Sequence, residues 1–205
     1  MRSGARGEFD AYVILCSPQY GLLTLKMPGV RRARSKLKPF KEPAIHAELH
    51  CYGKPNQNRI PTLLTGRILG SFESLRTSYG KLKCALSILR FSELFLTPFD
   101  PKAKEKFLLL IETMNQLTRC PDSVGRTPFG GFPLLAYKLK VLDLSGWRFS
   151  ASDAARTILD DKMLGHCENL ENESEFQGQD LEFNDLQKLE YVVNDYVEKL
   201  IIAGV

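Results

Sequence analysis

The chain has 205 residues, 43% hydrophobic and 25% charged, with a formal net charge of +4. That length supports one domain or two small ones, each with its own core, and the composition excludes a disordered or collagen-like chain. Residues 1–159 carry 25 Lys and Arg against 12 Asp and Glu, a net of +13, whereas residues 160–198 carry two lysines against 12 acids, a net of −10. Opposite fields on two parts of one chain point to an anionic partner for the first part.

"AYVILC" at 11–16 is a short run rich in β-branched and aromatic residues, and "SPQYG" follows it as a turn. "LLTLKM" reads as the return strand of a hairpin, ended by Pro28 and Gly29. The next stretch, "GVRRARSKLKPFKEP", holds Arg31, Arg32, Arg34, Lys36, Lys38 and Lys41 with no acid before Glu42. "AIHAELHCYG" alternates with period two: Ile45, Ala47, Leu49 and Cys51 point one way, His46, Glu48, His50 and Tyr52 the other. Gly53 to Asn58 is a polar loop, and "RIPTLLTG" is a further strand in which Pro61 suggests an edge or a bulge. Short strands with Gly and Pro turns and no long helix between them fit a small β-barrel such as an OB-fold.

From Ser71 the period becomes helical, with Phe72, Leu75, Tyr79, Leu82, Leu86, Leu89 and Phe95 on one stripe and a weak point at Gly80. "TPFDP" ends that helix, and Asp100 as N-cap with Pro101 opens the next, which runs to about Arg119. "CPDSVGRTPFGGF" is a loop, Pro133 starts a helix that Gly146 closes, and residues 153–164 form a short helix. "ENLENESEFQGQD" is polar and acidic and is expected to be mobile, and a last amphipathic helix covers 183–203. The fold class expected is α+β: an OB-fold-like barrel over 1–70, then an all-α domain over 71–205 that contains the acidic segment 160–198. Its core should include Leu75, Leu82, Leu86, Leu110, Met114, Leu139 and Leu142.

With these elements laid out, the chain resembles the bacterial DNA repair protein RecO family. The residues that carry this are "GEFDAYVILCSPQYGLLTL", "GVRRARSKLKPFKEP", "LHCYGK", "ILGSFESLRTSYGKLKCALSILRFSELF" and "FPLLAYKLKVLDLSGWRF". The family's Gly-Glu-x-Asp, Tyr-Gly and Gly-x-Arg-Arg-x-x-Ser-x-Leu patterns have counterparts in Gly7-Glu8-Phe9-Asp10, Tyr20-Gly21 and Gly29 to Leu37, and the similarity covers most of residues 3–149. The resemblance implies an OB-fold followed by helices. It also implies a non-enzymatic role in recombination: binding and annealing DNA strands and helping RecA load onto strands coated by single-strand-binding protein. The partners it implies are single- and double-stranded DNA, RecR and the acidic C-terminal tail of the coating protein. Two departures shape the expectations. Only Met1 to Arg6 precede Gly7, so the first barrel strand should be largely missing. Where many family members carry a four-cysteine zinc module, this chain has "SASDAARTILDDKMLGHCENL" with one cysteine, so no zinc or other cofactor is expected.

The basic run has two readings. A solvated surface is the ordinary one; contact with phosphate is the sharper one, because Arg forks hold phosphate oxygens in two-point contact and Lys adds charge. The barrel context favours phosphate, and the candidate DNA contacts are Lys26, Arg31, Arg32, Arg34, Lys36, Lys38 and Lys41. Tyr12, Tyr20, Phe40 and Tyr52 are candidates for base stacking, although aromatics at strand spacing are more often core. His46 and His50 share a strand face with Glu48 between them but no third ligand is evident, His166-Cys167 is equally weak as a metal site, "FGGFP" reads as a turn, and Trp147 as a core or interface anchor. The five cysteines form no C-x-x-C pair, so they read as thiols of a reducing compartment. No apolar run is long enough to span a bilayer and "MRSGARGEFDAY" lacks a signal-peptide core, which places the chain in the cytoplasm, at the nucleoid if it binds DNA. The alternative to a DNA-binding mediator is an adaptor whose basic surface takes an acidic peptide tail. No nucleophile with its base can be named, so an enzyme is not expected.

Overall fold

The computed structural model describes residues 3–5, 8–55, 60–120, 131–172 and 182–203. Five strands come first: β1 (Ser3–Ala5), β2 (Ala11–Ser17), β3 (Gly21–Met27), β4 (His46–Tyr52) and β5 (Thr62–Gly70). Six α-helices follow: α1 (Tyr79–Phe95), α2 (Ala103–Arg119), α3 (Phe132–Leu144), α4 (Asp153–Ile158), α5 (Asp161–Asn172) and α6 (Phe183–Ile202). The fold is therefore α+β, with the sheet ahead of the helices. By contacts the chain divides into two compact units, one of residues 1–74 and 89–111, the other of 75–88 and 112–205.

In the first unit the strands lie in the order β1-β2-β3-β5-β4. β2 and β3 form a full antiparallel hairpin, from Ala11↔Met27 to Ser17↔Gly21. β3 meets β5 in parallel at Lys26↔Thr62, and β4 pairs antiparallel with β5, with irregularities at His46/Ala47 and His50/Cys51. β1 and β4 end the sheet and do not pair with each other among the described residues, so the expected barrel is not formed: the sheet is not closed. The first strand is short, as expected: Ser3, Gly4 and Ala5 pair with Val13, Tyr12 and Ala11. Pro61 does not mark an edge, because β5 is an interior strand. The proline stands just ahead of it, where its missing N–H removes no ladder bond, and its carbonyl accepts from the Lys26 N–H at 2.9 Å.

β2 and β3 bury Ala11, Val13, Leu25 and Met27, which meet Leu63 of β5. Gly21 ties the hairpin to the Thr97–Asp100 connector. Leu22 N–H donates to Thr97 O at 3.1 Å, and Phe99 N–H to Tyr20 O at 2.7 Å. Gly21 has φ +68, and a Cβ there would lie 2.2 Å from Thr97 O, so only glycine fits. Asp100 caps α2 as expected, accepting from the Lys102 N–H at 2.8 Å.

In the second unit α3 is apolar nearly all round and buries Leu134, Leu135, Ala136, Tyr137, Leu139, Val141 and Leu142. Gly146 follows it at φ +84, the left-handed position where a helix stops. Leu75, Met114, Leu139 and Leu142 are buried as expected, as is Leu110 in the first unit, and Leu82 is half-buried. Leu86 is not core; it is 42% exposed. The small side chains Cys84 and Ala85, with Ile88, take the buried side of α1, which rotates the larger Leu86 outward. The single helix expected over 153–164 is two helices. Ser152 caps α4 through the Ala155 N–H, and Asp160 starts a new helix by accepting from the Met163 N–H at 2.9 Å. α5 then runs on to Asn172, into the stretch expected to be mobile, where Leu170 and Glu171 are buried. The remainder of that stretch, and most of the loops read at 53–58 and 120–132, lie outside the described residues.

Candidate nucleic-acid interface

The run from Gly29 to Lys41 is not a slack loop. Asp10 Oδ1 accepts from the Gly29 N–H at 2.8 Å, and Gly29 turns at φ +61. Arg31 N–H donates to Phe9 O at 3.0 Å. Successive turns follow: Arg32 N–H to Gly29 O at 3.1 Å, Ser35 N–H to Arg32 O at 3.1 Å, and Phe40 N–H to Leu37 O at 3.1 Å. A 3-10 turn spans Lys38–Lys41. Two apolar side chains within the run reach the core against the sheet: Val30, 1% exposed, and Leu37, 9% exposed. Phe40 packs partly against the same core and lies over Gly66, where an added Cβ would come within 3.1 Å of its ring. Burying these groups stabilises the run by about 1.5–3 kcal/mol per fully buried aliphatic side chain.

With its apolar residues turned in, the run turns its cations out. Arg31, Arg32, Arg34, Lys36, Lys38 and Lys41 are all exposed. Among the described residues no carboxylate pairs with any of the six. Arg32 lies over the Phe9 ring, 5.2 Å from its centroid, which limits its freedom and leaves its N–H donors available. Lys38 Nζ donates to Ala33 O at 3.0 Å and so braces the run across five residues.

Lys26 stands apart from the other candidates. Its ammonium pairs with Asp10 Oδ2 at 3.0 Å. The Gly29 N–H, then Lys26, hold the Asp10 carboxyl below its ordinary value, so Asp10 is a carboxylate at neutral pH. The aromatic candidates also separate. Tyr52 is 75% exposed at the end of β4, while Tyr12, Tyr20 and Phe40 are half-buried. Tyr20 makes an edge contact with Phe99 at 6.2 Å.

No family model matches the chain. The chain is similar to the DNA repair protein RecO of Thermodesulfovibrio yellowstonii. Identity is 26% over 113 residues, a stretch that covers 55% of this chain and 44% of that protein. The matched stretch thus spans less than half the length of the relative.

The other sequence candidates scatter. The His46 ring packs edge-on to Phe107 at 5.8 Å, and Cys167 is buried. Among the described residues no three His, Cys, Asp or Glu side chains group as metal ligands, and no helix is long and apolar enough to cross a membrane. Trp147 is 38% exposed, and Gly131 of "FGGFP" caps α3. Sequence reasoning missed the parts that hold the basic run in place: Asp10, Phe9, Val30 and Leu37. The signal for the last two was present, since two aliphatic residues seven apart in a cationic stretch are placed to be anchors.

Proposed function

We propose that this chain is a non-enzymatic DNA-binding protein of recombinational repair, which grips strand backbones with Arg31, Arg32, Arg34, Lys36, Lys38 and Lys41. The observation that carries this reading is the basic run itself: six exposed cations on a backbone pinned at Val30 and Leu37 and lacking carboxylate partners among the described residues. A pinned run loses less entropy on binding than a free loop, and arginine forks match phosphate oxygens. Such contacts are indifferent to base sequence and release counterions. Similarity to a DNA repair protein supports the same reading.

On this reading the chain anneals strands and helps RecA load on coated DNA together with RecR, and it meets the acidic tail of single-strand-binding protein. It acts in the cytoplasm at the nucleoid, with no cofactor. Lys26 joins the contact once phosphate competes with Asp10. The test is a titration of labelled single strands of mixed sequence at 50 and 200 mM salt. Four to six phosphate contacts predict a loss in affinity of roughly 50- to 350-fold between the two, at a slope of about 0.7 per contact. Affinity that ignores salt removes the proposal.

A further inference from the structure

Two consecutive residues ahead of β2 tie the entry of that strand to the basic run. Asp10 Oδ1 accepts from the Gly29 N–H at 2.8 Å, and Phe9 O accepts from the Arg31 N–H at 3.0 Å. These bonds fix the Phe9 backbone beside the arginines. The Phe9 residue is 42% exposed, and the Arg32 guanidinium carbon lies over its ring, 5.2 Å from the centroid. Arg32 is steadied at its other end as well. A Cβ added at Gly29 would lie 3.6 Å from Arg32 Cδ, so the arginine side chain passes across the Gly29 turn at van der Waals distance on its way to the ring. The aromatic residue inside the run is placed differently. Phe40 packs partly against the core and lies over Gly66, as a ring that serves to anchor the run would. Phe9 keeps much of its surface in water beside Arg31 and Arg32, where covering it would be favourable.

We infer that Phe9 is a base-stacking seat: its ring takes one unpaired base of a strand whose phosphates lie on Arg31 and Arg32, and this makes the run favour single strands over duplex. The inference rests on the DNA-binding reading above and adds which form of DNA the run selects. Phosphate contacts give no such preference, because both forms carry phosphate and a duplex carries it more densely. A ring beside two arginines calls for a ligand that offers an anion and a flat π face together, and an unpaired nucleotide offers both. Stacking on an aromatic ring is indifferent to base sequence, and the Arg32 cation adds to it on the same ring. A base inside a duplex has its faces against its neighbours and must be pulled from the stack before it can use the seat.

The test compares the full chain with Phe9→Leu, which keeps an apolar side chain and the carbonyl that holds Arg31 but removes the π face. Each is titrated with three probes of equal length: a mixed-sequence single strand, the same strand made abasic, and its duplex. The parent is expected to bind the intact single strand about five- to tenfold more tightly than the abasic one. Phe9→Leu should lower that preference, and the ratio of single-strand to duplex affinity, by the same factor. Its affinity for the abasic strand, and the salt slope on it, should stay at the parent values. A strand carrying 5-iodouracil, which photocrosslinks to a stacked ring, should couple to Phe9 of the parent chain, a readout that needs no variant. Crosslinks that map only to other residues overturn the seat. So does a Phe9→Leu chain that weakens all three probes alike, or none of them, while the steep salt dependence of the parent leaves the DNA-binding reading standing. A parent chain that binds none of the probes overturns both.

Discussion

The Lys106 ammonium lies 2.8 Å from Asp100 Oδ2, and the two side chains are only 7% and 6% exposed. The same ammonium donates to Phe95 O at 2.9 Å, so it joins the end of α1 to the start of α2. Burial works to raise the Asp100 carboxyl, but the bonds from Lys106 and the Lys102 N–H outweigh it and hold it below 3.8. A depressed carboxyl contributes stability that is fully present above its unfolded value and is lost as pH falls through the folded one. Asp100→Ala strands a buried ammonium and should cost about 3 kcal/mol, whereas Asp100→Asn with Lys106→Met should recover much of that loss. Urea melts of the single and double variants at pH 7 check this; equal losses in both would contradict the coupling.

Gly21→Ala should be among the most damaging small substitutions in the first unit. The new methyl meets Thr97 O and the backbone sits at φ +68. The expected cost is about 2–3 kcal/mol. A thermal melt within 1 °C of the parent, roughly the shift expected of a neutral change, would show that the hairpin is not held this way.

The thiols should separate by position. Burial pushes Cys84 and Cys167 up to about 12, while Cys51 is exposed. Thiolate is the reacting form, so a disulfide reagent at pH 8 should modify Cys51 first and reach Cys84 and Cys167 only after unfolding. Peptide mapping at early times reads the order.

Asp10→Asn keeps an oxygen for the Gly29 N–H and releases Lys26. Removing an anion beside the basic run should tighten single-strand binding about two- to fivefold at low salt and add up to about 0.7 to the salt slope. Unchanged affinity and slope would place Lys26 off the DNA path.

Much of the first unit was legible because period two and Gly or Pro punctuation coincide there. The β2–β3 hairpin, the presence of β4 and the cationic run follow from local pattern, but the two faces read for β4 do not hold along its length, because its register shifts at His46/Ala47 and His50/Cys51 and Cys51 is exposed. What was not legible depends on distant partners or on small residues. Asp10 holds Gly29 from nineteen positions away, which no window reveals. The phase of α1 was misjudged because Leu86 outweighs Cys84 and Ala85 in any count of hydrophobicity, yet the smaller side chains allow closer packing and take the inner face. Asp160 interrupts a run that looks continuous because its carboxylate does more for the next helix as a cap than its backbone does within the last one.

The central claim is that the pinned basic run holds phosphate. Arg31, Arg32 and Arg34 replaced together by Ala should leave the fold intact, since exposed cations contribute little to stability. The measurement is the slope of log affinity against log salt for a mixed-sequence single strand, parent and triple variant side by side. The slope should flatten by about 2, roughly 0.7 for each lost contact, and every sequence should weaken alike. A folded triple variant with unchanged affinity and slope would contradict the account and leave the run a solvated surface.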